Sequence, residues 1–375
     1  MSGPITTDFT RMFNIQHPIS LAGMNVAAGP KLAAAVTNAG GIGVIGGVGY
    51  TPAMLKDQIA ELKSYLNDKK APFGVDLLLP KVGEGARATN YDYTKGKLGE
   101  LVDIVIAEGA KLFVSAVGVP PKWVVDKLHA NGIAYMNMIG HPKHVKKCIE
   151  IGADIICAQG GEGGGHTGDV PTSILIPSVV ELVKNHKSPL TGQPVQVLAA
   201  GGIYNGKSLA AALMLGASGV WVGTRFILAD EAGAPKAHQE AVRTAGFDDT
   251  IRTIIFTVCF PEPPWTEYIF NLSQGRPLRV RNNAYISSWE NDRKDEIKQL
   301  TSKGIIPVEY DIEKLDKEDK LDDDTMDNAR PFLMGKVAAV VNDKKPAKVI
   351  VDEMVAEAVE QLRRGAQLLG KGPRL

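Results

Sequence analysis

Short apolar runs alternate along the first 230 residues with segments whose apolar side chains recur every three or four positions. The runs have the length of buried strands, and the segments between them have the spacing of amphipathic helices. Strand followed by helix, repeated eight times over about 220 residues, indicates a parallel sheet with crossover helices, and eight units fit a closed (β/α)8 TIM barrel better than an open sheet. The predicted strands are Pro18–Leu21, Gly41–Ile45, Phe73–Leu78, Leu112–Ser115, Ile133–Met136, Ile155–Cys157, Gln196–Ala199 and Gly219–Val222.

Between these strands the helical spacing is clear enough to place seven helices. They are predicted at Lys31–Asn38, Ala53–Leu66, Leu98–Glu108, Pro121–Ala130, Pro142–Ile151, Ile176–Asn185 and Ser208–Leu215. A dinucleotide-binding fold is not expected, because no Gly-x-Gly-x-x-Gly opens a helix after the first strand with an acidic residue about 20 positions further on.

The pattern changes after Ala229. Residues 309–324 contain nine acidic residues and three lysines with few apolar positions, which predicts a solvated loop or mobile excursion. Near the end, Val351, Val355, Ala358 and Leu362 share one face of a helix that is expected to pack back on the barrel. The predicted organisation is a barrel of residues 1–230 and about 345–375, with residues 231–344 inserted after strand eight as a lid or substrate segment.

Composition and charge exclude several classes of protein. The 375 residues are 44% hydrophobic and 22% charged, with 42 basic and 42 acidic side chains, so neither a nucleic-acid nor a membrane partner is expected. Three cysteines without a CxxC pair favour a reducing compartment over a disulfide framework. We see no signal sequence and no apolar run of about 18 residues, so a cytoplasmic location is predicted; the C-terminal Pro-Arg-Leu is only distantly similar to a peroxisomal signal.

In such a barrel the site lies at the carboxyl ends of the strands, and two late loops there suggest an anion site. The loop after strand seven contains Gly201-Gly202, and the turn after strand eight contains Gly223-Thr224. Paired glycines let backbone N–H groups approach a phosphate closely, although Gly201-Gly202 alone is equally typical of a tight turn.

The loop after strand six is the richest in candidate chemistry. Six of the eleven residues 158–168 are glycines, a composition that costs chain entropy and that we expect to serve a site rather than packing. His166 lies in this loop, four residues after Glu162, and an imidazole suits proton transfer near neutral pH; the alternative is a solvent-exposed loop histidine. No metal site is expected, since no second histidine lies at ligand spacing.

Three further positions near strand ends are ambiguous. The small residues of Ala22-Gly23-Met24 after strand one suit a planar ring lying against the backbone, and equally suit helix–strand packing. Asp76 in an apolar strand needs a partner, either a ligand or a structural group, and Gln159 raises the same question. Cys157 is expected to be a small buried hydrophobe rather than a nucleophile.

These loops carry a resemblance. Residues 161–168, 199–203 and 216–226 together resemble the FMN-dependent nitronate monooxygenases, formerly called 2-nitropropane dioxygenases; the resemblance covers most of residues 10–290 and includes residues 279–283. It implies FMN at the carboxyl mouth of the barrel and His166 as the catalytic base. Residues for the cofactor follow by position: Ala22, Gly23 and Met24 beside the isoalloxazine, Gln159 and Gly164 on the flavin, and Ala200, Gly201, Gly202, Gly223 and Thr224 on the phosphate.

The sequence departs from that family at two places. Asp76 stands where many relatives carry asparagine, and the resemblance implies that this would place a carboxylate near the flavin pyrimidine edge unless it is protonated or paired. Strand five ends Met136-Asn137-Met138, where many relatives have a lysine near the flavin. Both departures bear on redox tuning and on the substrate.

The resemblance implies oxidation of alkyl nitronates, or of nitroalkanes, by O2 to a carbonyl compound and nitrite. Two alternatives remain open at this point. One is an NAD(P)H-dependent flavin reductase on the same barrel, acting on a quinone or an enoyl thioester. The other is a flavin-binding protein without turnover, which would have no use for His166.

Overall fold

The computed structural model describes residues 3–47, 49–79, 92–256 and 277–369. Within these ranges all eight predicted barrel strands are present, each within three residues of its expected bounds. Three further strands, β7, β10 and β11, lie outside the barrel sheet. The strands of the described ranges are β1 Ile19–Leu21, β2 Gly43–Gly47, β3 Phe73–Leu78, β4 Leu112–Ala116, β5 Ala134–Ile139, β6 Ile155–Gln159, β7 Gly165–His166, β8 Gln196–Ala200, β9 Gly219–Val222, β10 Thr250–Thr253 and β11 Leu278–Arg281.

The seven predicted helices between the strands are confirmed, the one after β5 as a short 3₁₀ turn (Pro142–His144) followed by an α-helix. The helices are α1 Asp8–Phe13, α2 Pro30–Asn38, α3 Pro52–Tyr65, α4 Leu98–Ala107, α5 Lys122–Ala130, α6 Val145–Ile151, α7 Thr172–Val183, α8 Gly206–Met214, α9 Thr224–Ile227, α10 Lys236–Arg243, α11 Ala284–Asp292, α12 Lys294–Ser302, α13 Pro307–Lys317, α14 Asp323–Asn328 and α15 Ala347–Gln367, with a second 3₁₀ helix at Lys336–Val340. No helix in the described ranges is long and apolar enough to cross a membrane.

Eight parallel strands form the barrel. The hydrogen-bonded order is β1-β9-β8-β6-β5-β4-β3-β2. A parallel bridge between Ser20 and Ile42 joins the two ends, where the Leu21 N–H donates to the Ile42 carbonyl at 3.0 Å and the Ile42 N–H to the Ile19 carbonyl at 3.0 Å. These bonds close the ring, and the predicted (β/α)8 barrel is confirmed.

The alternation of side chains along each strand separates two apolar cores. One face of the strands fills the barrel interior, where Val114, Met136, Cys157, Leu198 and Trp221 pack together with Phe9 and Phe13 of α1. The other face packs against the surrounding helices in a larger cluster. Because successive strand residues point to opposite faces, the strand register decides which polar side chains face the interior.

The last helix completes the ring of barrel helices. α15 packs against α8 and α2, in the place of the helix that follows the eighth strand. Glu357 of α15 accepts a hydrogen bond from the Gly206 N–H at 2.7 Å, at the start of α8. A side chain at Gly206 would come within 2.4 Å of the Ala358 nitrogen, so this helix pair needs a glycine for its close approach. The predicted return of the C-terminal helix to the barrel is therefore confirmed.

The segment between β9 and α15 has a core of its own. β7, β10 and β11 form a three-stranded antiparallel sheet, and the apolar side chains of β11 pack with α11, α12 and α13. Trp289 is fully buried in this core, and the Tyr285 hydroxyl donates to Asp311 at 3.0 Å. These two aromatics therefore belong to the core of the segment.

The prediction of a solvated loop at residues 309–324 was wrong. The acidic stretch contains most of α13, with Pro307 in its first turn and Val308 and Ile312 buried four positions apart. Two apolar residues at that spacing help to anchor one helix face, on which Asp311 is buried as well, while Glu313, Asp316 and Glu318 are exposed. The prediction gave more weight to the number of charged residues than to the spacing of the few apolar ones.

A buried carboxylate fastens the amino-terminal end of the barrel, just before β6. Asp154 is completely buried and accepts hydrogen bonds from the Ser188 hydroxyl at 2.6 Å and from the Tyr135 and Leu190 N–H groups at 2.8 and 3.2 Å. His129 Nε2 lies 2.8 Å from the same carboxylate. One side chain thus joins four separate segments of the chain.

We expect Asp154→Ala to lower the free energy of unfolding by about 3 kcal/mol, because it leaves several buried donors without an acceptor. Chemical denaturation followed by circular dichroism measures this. The matched control is Asp126→Ala, which removes a solvent-exposed ion pair with Lys122 and should change stability little. Equal effects of the two substitutions would contradict the role assigned to Asp154.

Candidate active site

The predicted site residues meet at the carboxyl end of the barrel. Ala22 directly follows β1, and its N–H donates to the Val222 carbonyl at the end of β9 at 2.9 Å. Ala200 ends β8, and its carbonyl accepts from the Gly160 N–H at 2.9 Å. The loops after β1, β6, β8 and β9, which are barrel strands one, six, seven and eight, therefore lie side by side around one mouth.

The glycines after β6 have a packing role, contrary to the expectation from the sequence. A Cβ built on Gly160 would lie 2.0 Å from the Thr172 hydroxyl, and one on Gly163 would lie 2.6 Å from Gln159 Nε2. A Cβ on Gly168 would lie 2.2 Å from the Gly140 carbonyl oxygen. Since real Cβ atoms do not approach so closely, the loop is folded against its own neighbours and needs glycine for that reason as well.

Glu162 is engaged in this packing. Its carboxylate accepts from the Thr172 hydroxyl at 2.8 Å and from the Thr172 N–H at 3.0 Å, at the start of α7. The Thr172 hydroxyl also lies 2.9 Å from the Gly201 carbonyl oxygen. The strand-six and strand-seven loops are therefore joined through Thr172, a residue that the sequence did not single out.

Two of the candidate phosphate glycines are less tightly packed than the others. A Cβ on Gly202 would have its nearest neighbours at 3.8 and 3.9 Å, and one on Gly223 at 3.5 and 3.6 Å, from Ala22 and Met24, which are ordinary van der Waals distances. Gly201 differs, because its Cβ would lie 2.9 Å from the Gly160 carbonyl oxygen. A Cβ therefore fits at Gly202 and Gly223 without a clash, whereas Gly201 is needed for packing.

A segment far along the chain covers this mouth and was missed by the sequence reasoning. The Gly335 N–H donates to the Thr224 hydroxyl at 2.9 Å, and the Lys336 N–H donates to the Glu162 carbonyl at 2.9 Å. A Cβ on Gly164 would lie 2.6 Å from the Met334 carbonyl carbon. The available signal was Gly335 itself, the one glycine between residues 305 and 364.

The same segment is held from its other side by the inserted helices. His238 on α10 donates from Nε2 to the Leu333 carbonyl at 2.7 Å and stacks on Phe332. Burial lowers the pKa of His238, although the hydrogen bond to the Leu333 carbonyl acts in the opposite direction. We call residues 332–336 the strap; it connects the insertion to the loops after strands six and eight.

His166 lies at the mouth, and two elements hold its backbone. Its carbonyl accepts from Gln159 Nε2 at 2.7 Å, at the end of β6, and its residue pairs with Leu278 of β11. Arg279, the next residue of β11, donates from Nε to the Gly161 carbonyl at 3.0 Å and is buried. The predicted residues Gln159 and His166 are therefore brought together, with the Gln159 amide serving the loop backbone.

Asp76 faces the interior from β3 and is buried. Its register partners are Gly46 of β2 and Val114 of β4, and a Cβ on Gly23 would lie 2.3 Å from Asp76 Oδ2. Oδ1 is buried without a hydrogen-bond partner. Burial raises the pKa of Asp76 to about 8, so the carboxyl is mostly protonated at pH 7.

The other departure from the family pattern is the absence of a lysine in Met136-Asn137-Met138, and the register of β5 shows which of these side chains face the barrel interior. Asn137 points away from the barrel interior, where it accepts from the Tyr135 hydroxyl, and Met136 and Met138 are the interior residues of β5. No basic side chain of β5 therefore faces the mouth, since the strand contributes only methionines there. Cys157 is fully buried, and burial raises the pKa of its thiol, as expected for a packing residue.

Other parts of the described structure offer no competing catalytic cluster. No group of three or more His, Cys, Asp or Glu side chains in the described ranges is arranged to hold a metal ion. A cavity of about 580 Å³ opens at the amino-terminal end of the barrel, lined by residues that include Phe13, Gln16 and Lys111. That end faces away from the strand carboxyl ends, where barrel enzymes place their chemistry.

Several known proteins are similar to this chain over most of its length. A carboxyl-CoA dehydrogenase of Mycobacterium tuberculosis, named for (3aS,4S,5R,7aS)-5-hydroxy-7a-methyl-1-oxo-octahydro-1H-indene-4-carboxyl-CoA, is 31% identical over 97% of this chain and 99% of its own. A probable nitronate monooxygenase of Staphylococcus saprophyticus is 29% identical over 78% of this chain and 83% of its own. Among solved structures, FabK from Thermotoga maritima superposes with a TM-score of 0.71 at 26% identity, covering 97% of this chain and all of that one.

The family model of the nitronate monooxygenases matches residues 6–258, which include all eight barrel strands and the three glycine-bearing loops of the mouth. Enzymes of this family are flavin-dependent oxidoreductases. The chain belongs to the nitronate monooxygenase family.

Proposed function

We propose that this chain binds FMN at the carboxyl mouth of the barrel and oxidises alkyl nitronates with O2 to a carbonyl compound and nitrite. The observation that carries the proposal is the convergence of the late glycine loops, Asp76 and His166 on one mouth. The family match supports the flavin, and the relatives named as nitronate monooxygenases support the substrate.

The residues of the mouth fit the cofactor. Gly202 and Gly223 have no neighbour that would clash with a Cβ, and the absence of a side chain there would let a phosphate approach the backbone N–H groups. Thr224 begins α9 beside them, and Ala200 and Gly201 complete the cradle. The Oδ1 of Asp76 has no hydrogen-bond partner among the described residues, and it calls for a polar partner. Ala22, Gly23 and Met24 would border the ring, with Gln159 and Gly164 on the strand-six side.

In this proposal His166 is the proton acceptor. A neutral nitroalkane must lose a proton from carbon before it can be oxidised, and an imidazole is a suitable base for that proton. A substrate supplied as the nitronate does not need this step. FMN supplies the electron acceptor when it is bound. The Gln159 bond and the β11 pairing fix the backbone of His166, and so limit the positions its ring can take.

We propose further that residues 231–344 act as a cover on the substrate side of the barrel. This is supported by the strap, which rests on Thr224 and Glu162, and by β11, which pairs with the strand that contains His166. Barrel residues 1–230 and about 345–375 would then hold the cofactor.

A second function is favoured by the full-length relative. That dehydrogenase acts, by its name, on a carboxyl-CoA thioester, and its match covers nearly all of both chains. A thioester carbonyl acidifies the neighbouring carbon as a nitro group does, so the same base and flavin would serve a carbon acid of either kind. The absence of a basic side chain on the mouth face of β5 does not separate the two.

The deciding experiment is an anaerobic titration of the purified protein, followed through the visible flavin spectrum. We expect ethylnitronate to bleach the flavin, and NADH to leave it oxidised. Bleaching by NADH together with turnover of an enoyl thioester would favour the reductase alternative. Bleaching by a saturated acyl-CoA thioester alone would favour the dehydrogenase.

We expect His166→Asn to slow oxidation of neutral nitroethane by about 100-fold or more, the usual scale of general-base catalysis, and to slow oxidation of ethylnitronate far less. Steady-state kinetics with each substrate, on protein of equal flavin content, measures the difference. Equal losses on both substrates would contradict the role of His166 as a base.

We expect Gly223→Leu to yield a folded protein that lacks flavin, because the added side chain enters the space proposed for the phosphate. Its backbone φ of −107° suits any residue, and the nearest atoms to a new Cβ lie 3.5 Å away, so the fold should tolerate the change. Circular dichroism checks the fold and the visible spectrum checks the cofactor. A normally yellow variant would place the phosphate elsewhere.

A further inference from the structure

Asp76 is an acidic side chain whose environment in the mouth suits a neutral form better than a charged one. It is buried among Gly23, Gly46 and Val114, none of which offers a charge, and its Oδ1 has no hydrogen-bond partner among the residues that the structure describes. A carboxylate in that position would be buried without an ion pair to any described basic side chain. The geometry therefore points to a protonated side chain.

The pyrimidine edge of a flavin presents two carbonyl oxygens with an N–H between them. A carboxylate can only accept hydrogen bonds, so it would match the N–H and repel the carbonyls. A neutral carboxylic acid has one O–H donor and one carbonyl acceptor, and so matches a carbonyl and the N–H together, as an asparagine side chain does.

We propose that Asp76 stays protonated and donates its O–H to the pyrimidine edge of the bound flavin, so that the chain binds its cofactor only together with this proton. The inference rests on the proposed binding of FMN at the mouth. Asp76 is then a binding residue whose protonation sets the cofactor affinity, a property that an asparagine at the same position would not have.

The titratable side chains next to Asp76 are themselves neutral near pH 7. Tyr50, whose hydroxyl donates to the Gly46 carbonyl at 3.2 Å, has its pKa raised to about 12 by burial and by Asp76. The pKa of Cys157 on β6 is raised by the same two causes. The neighbouring residues of the β1 loop, β2 and β4 contribute no titratable side chain. No basic residue within the described ranges forms an ion pair with Asp76.

The direction of the pH effect follows from the pKa. Burial raises the pKa of Asp76 from 3.8 to about 8, and a bond that requires the acid form raises it further when the flavin is bound. Below pH 8 the proton is already present, and binding is independent of this group. Above pH 8 the proton must be taken up on binding, so the affinity falls by about tenfold per pH unit.

The test is a titration of the cofactor-free protein with FMN between pH 6.5 and 9.5, followed by quenching of flavin fluorescence. We expect the Kd of the wild type to be level up to about pH 8 and then to rise about tenfold per unit. Asp76→Asn keeps a donor and should bind FMN with a Kd that stays level to pH 9.5. Riboflavin, which lacks the phosphate, repeats the measurement without the ionisation of that group.

One control variant removes another group that titrates in this range, and a second removes a phenol close to Asp76. Glu309→Gln removes a carboxyl in α13 whose pKa burial raises to about 7, and Tyr50→Phe removes the phenol near Asp76. Both should keep the wild-type rise in Kd above pH 8. Loss of the rise in either control would assign the proton to that residue instead of Asp76, and would overturn the proposal.

A second measurement counts the protons directly, and its decisive result comes from the wild type. Calorimetric titration at pH 9 in buffers of different ionisation enthalpy counts the protons taken up with FMN, and we expect close to one for the wild type and none for Asp76→Asn. FMN binding without proton uptake, and with a level Kd, would overturn the role of Asp76 and leave the proposed function intact. No FMN binding at any pH would overturn both.

Discussion

The mouth of this barrel depends on backbone segments that approach more closely than any side chain would permit. Gly23 and Gly46 bring the first two strand ends against Asp76, Gly160 brings the sixth loop against Thr172, and Gly164 receives the strap. Each of these glycines loses more conformational entropy on folding than another residue would. Packing and hydrogen bonds in the folded chain offset that cost. The close backbone packing holds the polar side chains at the mouth, such as Asp76 and Thr172, in defined positions.

The fold was largely predictable from the sequence because its signals are local. A buried parallel strand such as β3 or β6 is a short apolar run, and the run itself shows where the strand ends and its loop begins. The candidate loops followed from the barrel geometry. Their mutual contacts did not, because a glycine in the sequence does not show whether it serves a ligand or a neighbouring backbone. Only the space around Gly202 and Gly223, compared with that around Gly160 and Gly201, separates these two uses.

The insertion was less predictable for a different reason. α13 relies on a sparse apolar stripe within a highly acidic stretch, so composition outweighed periodicity in the prediction. The strap is harder still, because it is irregular backbone whose bonds reach about 110 residues back in sequence, from Gly335 to Thr224. Contacts of such long separation leave almost no trace in local pattern. The one local sign of the strap in the sequence is Gly335, which lies within a long stretch without other glycines.

Burial and cofactor chemistry bear on Asp76 together. A carboxylic acid that no cation neutralises would lower the stability of the cofactor-free barrel as pH rises from about 4 to about 8, since the unfolded chain releases the proton at lower pH than the folded one does. Asparagine would avoid this penalty while presenting the same pattern of donor and acceptor. An aspartic acid in that place differs from asparagine in one physical respect, which is that its donor can be removed by pH. With the proposed flavin contact, this side chain would make cofactor binding depend on pH above about 8, where its proton is lost.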